Sequence, residues 1–73
     1  MTRQLTAVIE REGEGFVSLC PEVDIASQGT TVDEARANLR EALELFLETA
    51  SEAEIKERFH GKVYVTQVEV AVG

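Results

Sequence analysis

One cysteine, one histidine and one proline in 73 residues leave this chain short of the devices that usually hold very small folds together. A lone cysteine excludes an intrachain disulfide, and without a Cys/His cluster there is no ligand set for a structural metal. No run approaches the roughly 20 apolar residues that a membrane-spanning helix needs. The N-terminal MTRQLTAVIERE has no apolar core of signal-peptide length, and its apolar residues alternate with polar ones. With a single free thiol, the expected compartment is the cytoplasm. Positive charge is scarce as well: 7 basic residues stand against 14 acidic ones, a formal net charge of −7. A surface of that sign repels phosphate backbones and lacks the footprint of a nucleic-acid binder. It suits a basic protein partner, or solubility alone.

At this length there is room for one domain, residues 1–73, with no linker and no internal repeat. A chain so short buries only about 60 % of the surface its unfolded form exposes. Self-association is the remaining common way to bury more.

What is present reads clearly as elements. Leu5, Ala7 and Ile9 alternate with Thr6, Val8 and Glu10, the period of a strand with one strongly apolar face. Glu12-Gly13-Glu14-Gly15 predicts a hairpin turn, and Phe16 to Cys20 a second, antiparallel strand. Pro21 has no amide hydrogen for a ladder and ends that strand. A short third strand follows at about Ile25 to Gln28, where Gly29 turns the chain. Thr31-Val32-Asp33-Glu34 has the pattern of a capping box: the Thr31 hydroxyl accepts from the Glu34 amide, and the Glu34 carboxylate reaches back to the Thr31 amide. The apolar set Val32, Ala35, Leu39, Ala42, Leu43, Phe46, Leu47 and Ala50 then forms one face of a helix from Val32 to about Ala50. Asp33, Arg36, Arg40 and Glu44 run along its flank as an ion-pair stripe. Ser51-Glu52-Ala53-Glu54 starts a short second helical piece that Ile55 and Phe59 anchor, and His60-Gly61 ends it.

Lys62 to Val72 predicts a valine-rich last strand. Its apolar positions change phase between Val65 and Val68, which a bulge near Thr66-Gln67 or a strand apolar on both faces would explain. The order β-β-β-α-β gives a two-layer α+β domain. The first three strands form a meander, the main helix crosses one face, and the last strand lies beside and parallel to the first. The expected sheet is thus mixed and four-stranded, in order 3-2-1-4 with a right-handed crossover. Its last edge, with Val68, Val70 and Val72, is a template for pairing with another chain.

The chemistry of catalysis is not visible. No nucleophile motif, phosphate loop or metal-ligand spacing occurs, so no catalytic, metal or cofactor residue is assigned. Cys20 has no adjacent positive charge to lower its pKa and reads as a packing residue. His60 lies beside Gly61 with no orienting partner and reads as a surface residue. The same strand order opens the ribonuclease H fold, whose two-metal chemistry needs converging carboxylates. Glu10 and Glu69 do not make such a cluster, and the helix carboxylates lie mainly opposite its apolar stripe.

Cys20-Pro21-Glu22-Val23, Ile25-Ala26-Ser27-Gln28-Gly29, Thr31-Val32-Asp33-Glu34-Ala35, Ala37-Asn38-Leu39 and Glu41-Ala42 occur in sequence, with Gly15-Phe16-Val17 ahead of them. As a linked string this resembles the signature of HicB-type antitoxins. The resemblance implies a partly reduced ribonuclease H-like domain without catalysis, which binds and masks a small basic HicA-type toxin, an mRNA-cleaving ribonuclease. Two departures stand out. Many members continue into a C-terminal DNA-binding domain; none is expected for this sequence, so direct operator binding is not expected either. Asp24-Ile25 replaces a longer Pro-Gly bend, and Thr30 an acidic residue, as in a short, stand-alone branch. Glu22, Asp24, Leu45 and Tyr64 are the candidate contacts for such a partner. Leu45 lies off the helix's apolar stripe, and Tyr64 is out of phase with Val63 and Val65. The second reading is a homo-oligomer, dimer or larger, with a structural or ligand-binding role and no toxin partner.

Overall fold

The computed structural model describes residues 3–59 and 61–73. Three strands, β1 (Val8–Glu12), β2 (Gly15–Cys20) and β3 (Ile25–Gly29), make an antiparallel sheet in order β1-β2-β3. β1 and β2 meet through Gly13 and Glu14, with Val8 opposite Leu19 and Glu12 opposite Gly15. Gly13 has φ +60° at the first central position, and Glu14 is not in the left-handed region, the combination of a type II′ turn. Pro21 ends β2, and Asp24 at φ +54° turns the chain into β3.

The pleat sorts the side chains. Phe16, Ser18 and Cys20 lie opposite Gly29, Ser27 and Ile25 on one face, which also carries Ile9. Across that face runs α1 (Val32–Thr49), followed by α2 (Glu52–Arg58). α1 lies mainly over β3 and β2 and barely reaches β1. The fully buried apolar core is small: Cys20, Val23, Ala35 and Leu39, with Leu5, Ile25, Leu43, Phe46 and Phe59 packed around it.

Gly29 has a different reason from the expected one. It is not at positive φ; instead, the backbone of α1 passes directly over it. A Cβ there would stand 2.5 Å from the Ala35 amide nitrogen and 2.8 Å from the Glu34 carbonyl carbon, so only glycine lets the helix sit this close. Nearby, the buried Ser18 hydroxyl donates to the Ala35 carbonyl at 2.8 Å. The Asn38 amide donates to the Gln28 carbonyl at 2.8 Å. Together they bolt the first half of α1 to β2 and β3.

The capping box closes in a modified form. The Glu34 amide donates to the Thr31 hydroxyl at 3.0 Å as expected, but the Glu34 carboxylate takes the Thr30 amide at 2.9 Å instead of the Thr31 amide. Val32, expected on the buried face, is 46 % exposed. Of the ion-pair stripe, Arg40–Glu44 at 3.9 Å is the pair formed among the described residues, and both side chains are largely solvent-exposed. Ser51 caps α2 by accepting from the Glu54 amide, and Phe59 closes its C-terminus. His60, expected to end this helix, lies outside the described residues.

Residues 61–73 form neither strand nor helix. The expected fourth strand, and with it the mixed sheet of order 3-2-1-4, is therefore not formed; the α+β architecture is, with three strands. A valine pattern supplies only one segment of a ladder, and among the described residues no second segment pairs with this one, so the tail from Gly61 onward is almost wholly solvated. Tyr64, Val65, Val68, Val70 and Val72 are 67–92 % exposed.

Candidate partner-binding surface

The four candidate contact residues fall on three elements. Glu22, in the β2–β3 connection, is turned inward and only 9 % exposed. Its carboxylate accepts from the Thr6 amide at 3.1 and 3.0 Å and from the Thr6 hydroxyl at 2.6 Å. The Cys20 thiol donates to it at 3.4 Å. Burial alone would raise the pKa of this acid. The bonds from Thr6, its own backbone and Cys20 outweigh that, and the group stays below its ordinary value of 4.5. The Cys20 thiol moves the other way: burial, then the bond to Glu22 and its charge, push it above 9.0, so it remains protonated. Glu22 is thus an internal latch that holds the segment before β1 onto the β2–β3 loop.

Asp24 is exposed on the same loop, in the left-handed conformation. Its carbonyl and that of Val23 accept from the Arg58 guanidinium at 3.3 and 3.1 Å, so α2 clamps the loop from below. The same guanidinium lies 5.6 Å from the centre of the Phe46 ring. Sequence reasoning missed Arg58, since nothing in its spacing points across to the loop.

Leu45 is 60 % exposed on the outward side of α1. Glu41 and Glu48, four residues before it and three after, are its neighbours on the helix surface, and both are exposed. Leu45 is thus a large apolar side chain on a rigid element, exposed between two acids. An apolar anchor with an acidic rim has the chemistry to receive a basic partner. Tyr64 is 80 % exposed on the tail, as are Val68, Val70 and Val72 at 72–92 %.

Two depressions mark the surface. One, of roughly 460 Å³, lies between the β2 and β3 ends and α1, with Glu12, Phe16, Gln28, Glu34 and Asn38 in its wall. The other, of roughly 630 Å³, lies between residues 3–7 and α1, where Ala7, Leu39, Leu43 and Leu47 form the floor and Arg3, Arg36 and Arg40 the rim. Among the described residues, no group of three or more His, Cys, Asp or Glu converges as a metal site requires. No described helix is long and apolar enough to cross a membrane.

Comparison with known proteins gives one informative match. Over 50 residues the chain is 44 % identical to the UPF0150 protein ssl0738 of Synechocystis sp., covering 66 % of this chain and 69 % of that one. No family model and no solved structure matches.

Proposed function

The chain belongs to the UPF0150 family, and from that premise we propose that it is a non-enzymatic, HicB-like protein-binding module that masks a small basic toxin of the HicA type. The observation that carries the reading is Leu45, exposed on α1 between Glu41 and Glu48, in a chain whose linked string from Cys20 to Ala42 resembles the HicB signature. The net charge of −7 adds a field that steers a cationic partner toward this surface. The partner is the acceptor of that field, and nucleic acid is not. The work is done in the cytoplasm, where both proteins would be made. In the complete assembly, the Lys62–Val72 segment, of this chain or of a second copy, would be the fourth strand beside β1 in the order 3-2-1-4.

Inspecting the gene's neighbourhood for a small basic reading frame, and co-expressing the two, tests the proposal; absence of such a frame counts against it. A stable complex is expected, and Leu45→Ala is expected to weaken it by roughly ten-fold, as a central anchor does. Leu45 is exposed, so the same change should leave stability within about 0.5 kcal/mol. If no complex co-purifies, the antitoxin reading fails. The exposed valines of the tail favour the second reading, a homo-oligomer without a toxin partner, which remains compatible with the same fold.

A further inference from the structure

A folded monomer of 8.0 kDa should expose roughly 4,450 Å² by the scaling of surface with mass. This chain exposes 6193 Å². Its radius of gyration is 14.3 Å, against about 11 Å for a compact domain of this length. It measures 50 Å in its longest direction and 20 Å in its shortest. The excess surface, roughly 1,700 Å², is about twice what one partner buries in a standard interface. The tail accounts for the shape: Val65, Val68, Val70 and Val72 are apolar, strand-forming and 67–92 % exposed.

The same molecule has a vacancy that matches. β1 is an edge strand, and residues 3–7 before it carry no ladder. α1 covers β3, where Asn38 also takes the Gln28 carbonyl, but it scarcely reaches β1. Between residues 3–7, which lead into β1, and α1 lies the groove lined by Ala7, Leu39, Leu43 and Leu47. Residues 3–12 offer about 33 Å of edge at roughly 3.3 Å per residue, and residues 62–72 extend to about 36 Å. With a one-residue bulge at Thr66-Gln67, the valines at 63, 65, 68, 70 and 72 share a face and can all turn toward the groove.

The geometry points to a reciprocal exchange: residues 62–72 of a second copy of this chain add to the free edge of residues 3–12 and lay their valines into the groove against Leu43 and Leu47. A second copy is preferred to the chain's own tail because the surface left open, roughly 1,700 Å² above that of a compact monomer, is on the scale of a dimer interface. Phe59 is packed on the core and covered by the Arg3 guanidinium, 4.6 Å from its ring centre. The tail from Gly61 onward is almost wholly exposed in a molecule 50 Å long. Exchange uses the tail as it stands, extended away from its own body. The inference stands on geometry and does not depend on any toxin partner.

Light scattering of the full chain should give twice the 8.0 kDa chain mass; a monomer at all concentrations would overturn the exchange. In a sample mixed from isotope-labelled and unlabelled chains, filtered NOEs should connect the methyls of Val68, Val70 and Val72 in one chain to those of Leu43 and Leu47 in the other. Contacts found only within a chain, or a dimer lacking these contacts, would overturn it too. Val68→Lys with Val70→Lys would bury two charges in an apolar groove and should weaken self-association on the order of 100-fold. The tail contributes nothing to the core of the body, so this variant should keep its helical circular dichroism; a variant that remains fully dimeric counts against the proposal.

Discussion

Gly29 and Glu22 carry more of this structure than their neighbours because each does something no other residue type can do there. Alanine at 29 would force its Cβ to within 2.5–2.9 Å of the α1 backbone and the Glu34 side chain. Gly29→Ala is therefore expected to cost about 1–3 kcal/mol, as overpacking does, read as a lower urea midpoint at unchanged slope. Glu22 ties Thr6 and Cys20 together as a carboxylate, with its folded pKa below the ordinary 4.5. A depressed folded pKa means the unfolded state takes up the proton first as pH falls. The stabilisation is thus complete above about pH 4.5 and is lost as pH drops through the lower, folded value. Thermal midpoints measured from pH 7 to pH 2.5 should show the advantage of the native protein over Glu22→Gln shrinking through that window. An advantage independent of pH would rule out the latch as an ionised group. Cys20 has the opposite dependence: its raised thiol pKa withdraws stability only above pH 9.0, as the unfolded thiol ionises first. Being fully buried, it should resist thiol reagents until the protein unfolds.

The helices show which parts of the fold a sequence states and which it conceals. α1 was legible from Thr31 to Thr49 because capping and three-to-four periodicity are local and repeat over many residues. The hairpin was legible from Gly13, and α2 from Ser51. Three features were not. Glu22 looks like a surface acid, and only the fold brings Thr6, sixteen residues away, to its carboxylate. Arg58 reaches the Val23 and Asp24 carbonyls across more than thirty residues, a contact with no local signal. The valine-rich tail has the pattern of a strand, but a strand is a relation between two segments, and a pattern names only one of them. Local logic also locates a weakness: the last turn of α1 has no basic residue, and Glu44 and Glu48 face the negative end of the helix dipole. Glu48→Lys should raise stability by about 0.3–1 kcal/mol in low salt, with the gain fading as salt is added. Because Glu48 also borders Leu45, the same substitution should weaken binding of a basic partner, separating its effect on the helix from its effect on the surface.

For the molecule as a whole, the balance between a small core and a long apolar tail makes stability a property of concentration. Among the described residues four apolar side chains are fully buried in the body, Cys20, Val23, Ala35 and Leu39, which is little for a domain whose single cysteine forms no intrachain disulfide. If the tail of a second copy fills the groove over Leu43 and Leu47, unfolding and dissociation become one step, and mass action raises the midpoint as protein is added. Unfolding two chains of this length absorbs roughly 0.3 kcal/mol per kelvin of entropy. A tenfold rise in concentration contributes about 1.4 kcal/mol. The thermal midpoint of the native protein should therefore climb by about 4–5 °C for each tenfold increase. The Val68→Lys, Val70→Lys variant should melt lower, at a midpoint that depends less on concentration wherever dilution leaves it monomeric. Calorimetry over a hundredfold range decides the matter: a native midpoint that stays fixed would mean that the body stands on its own core and that the exposed valines serve some other contact.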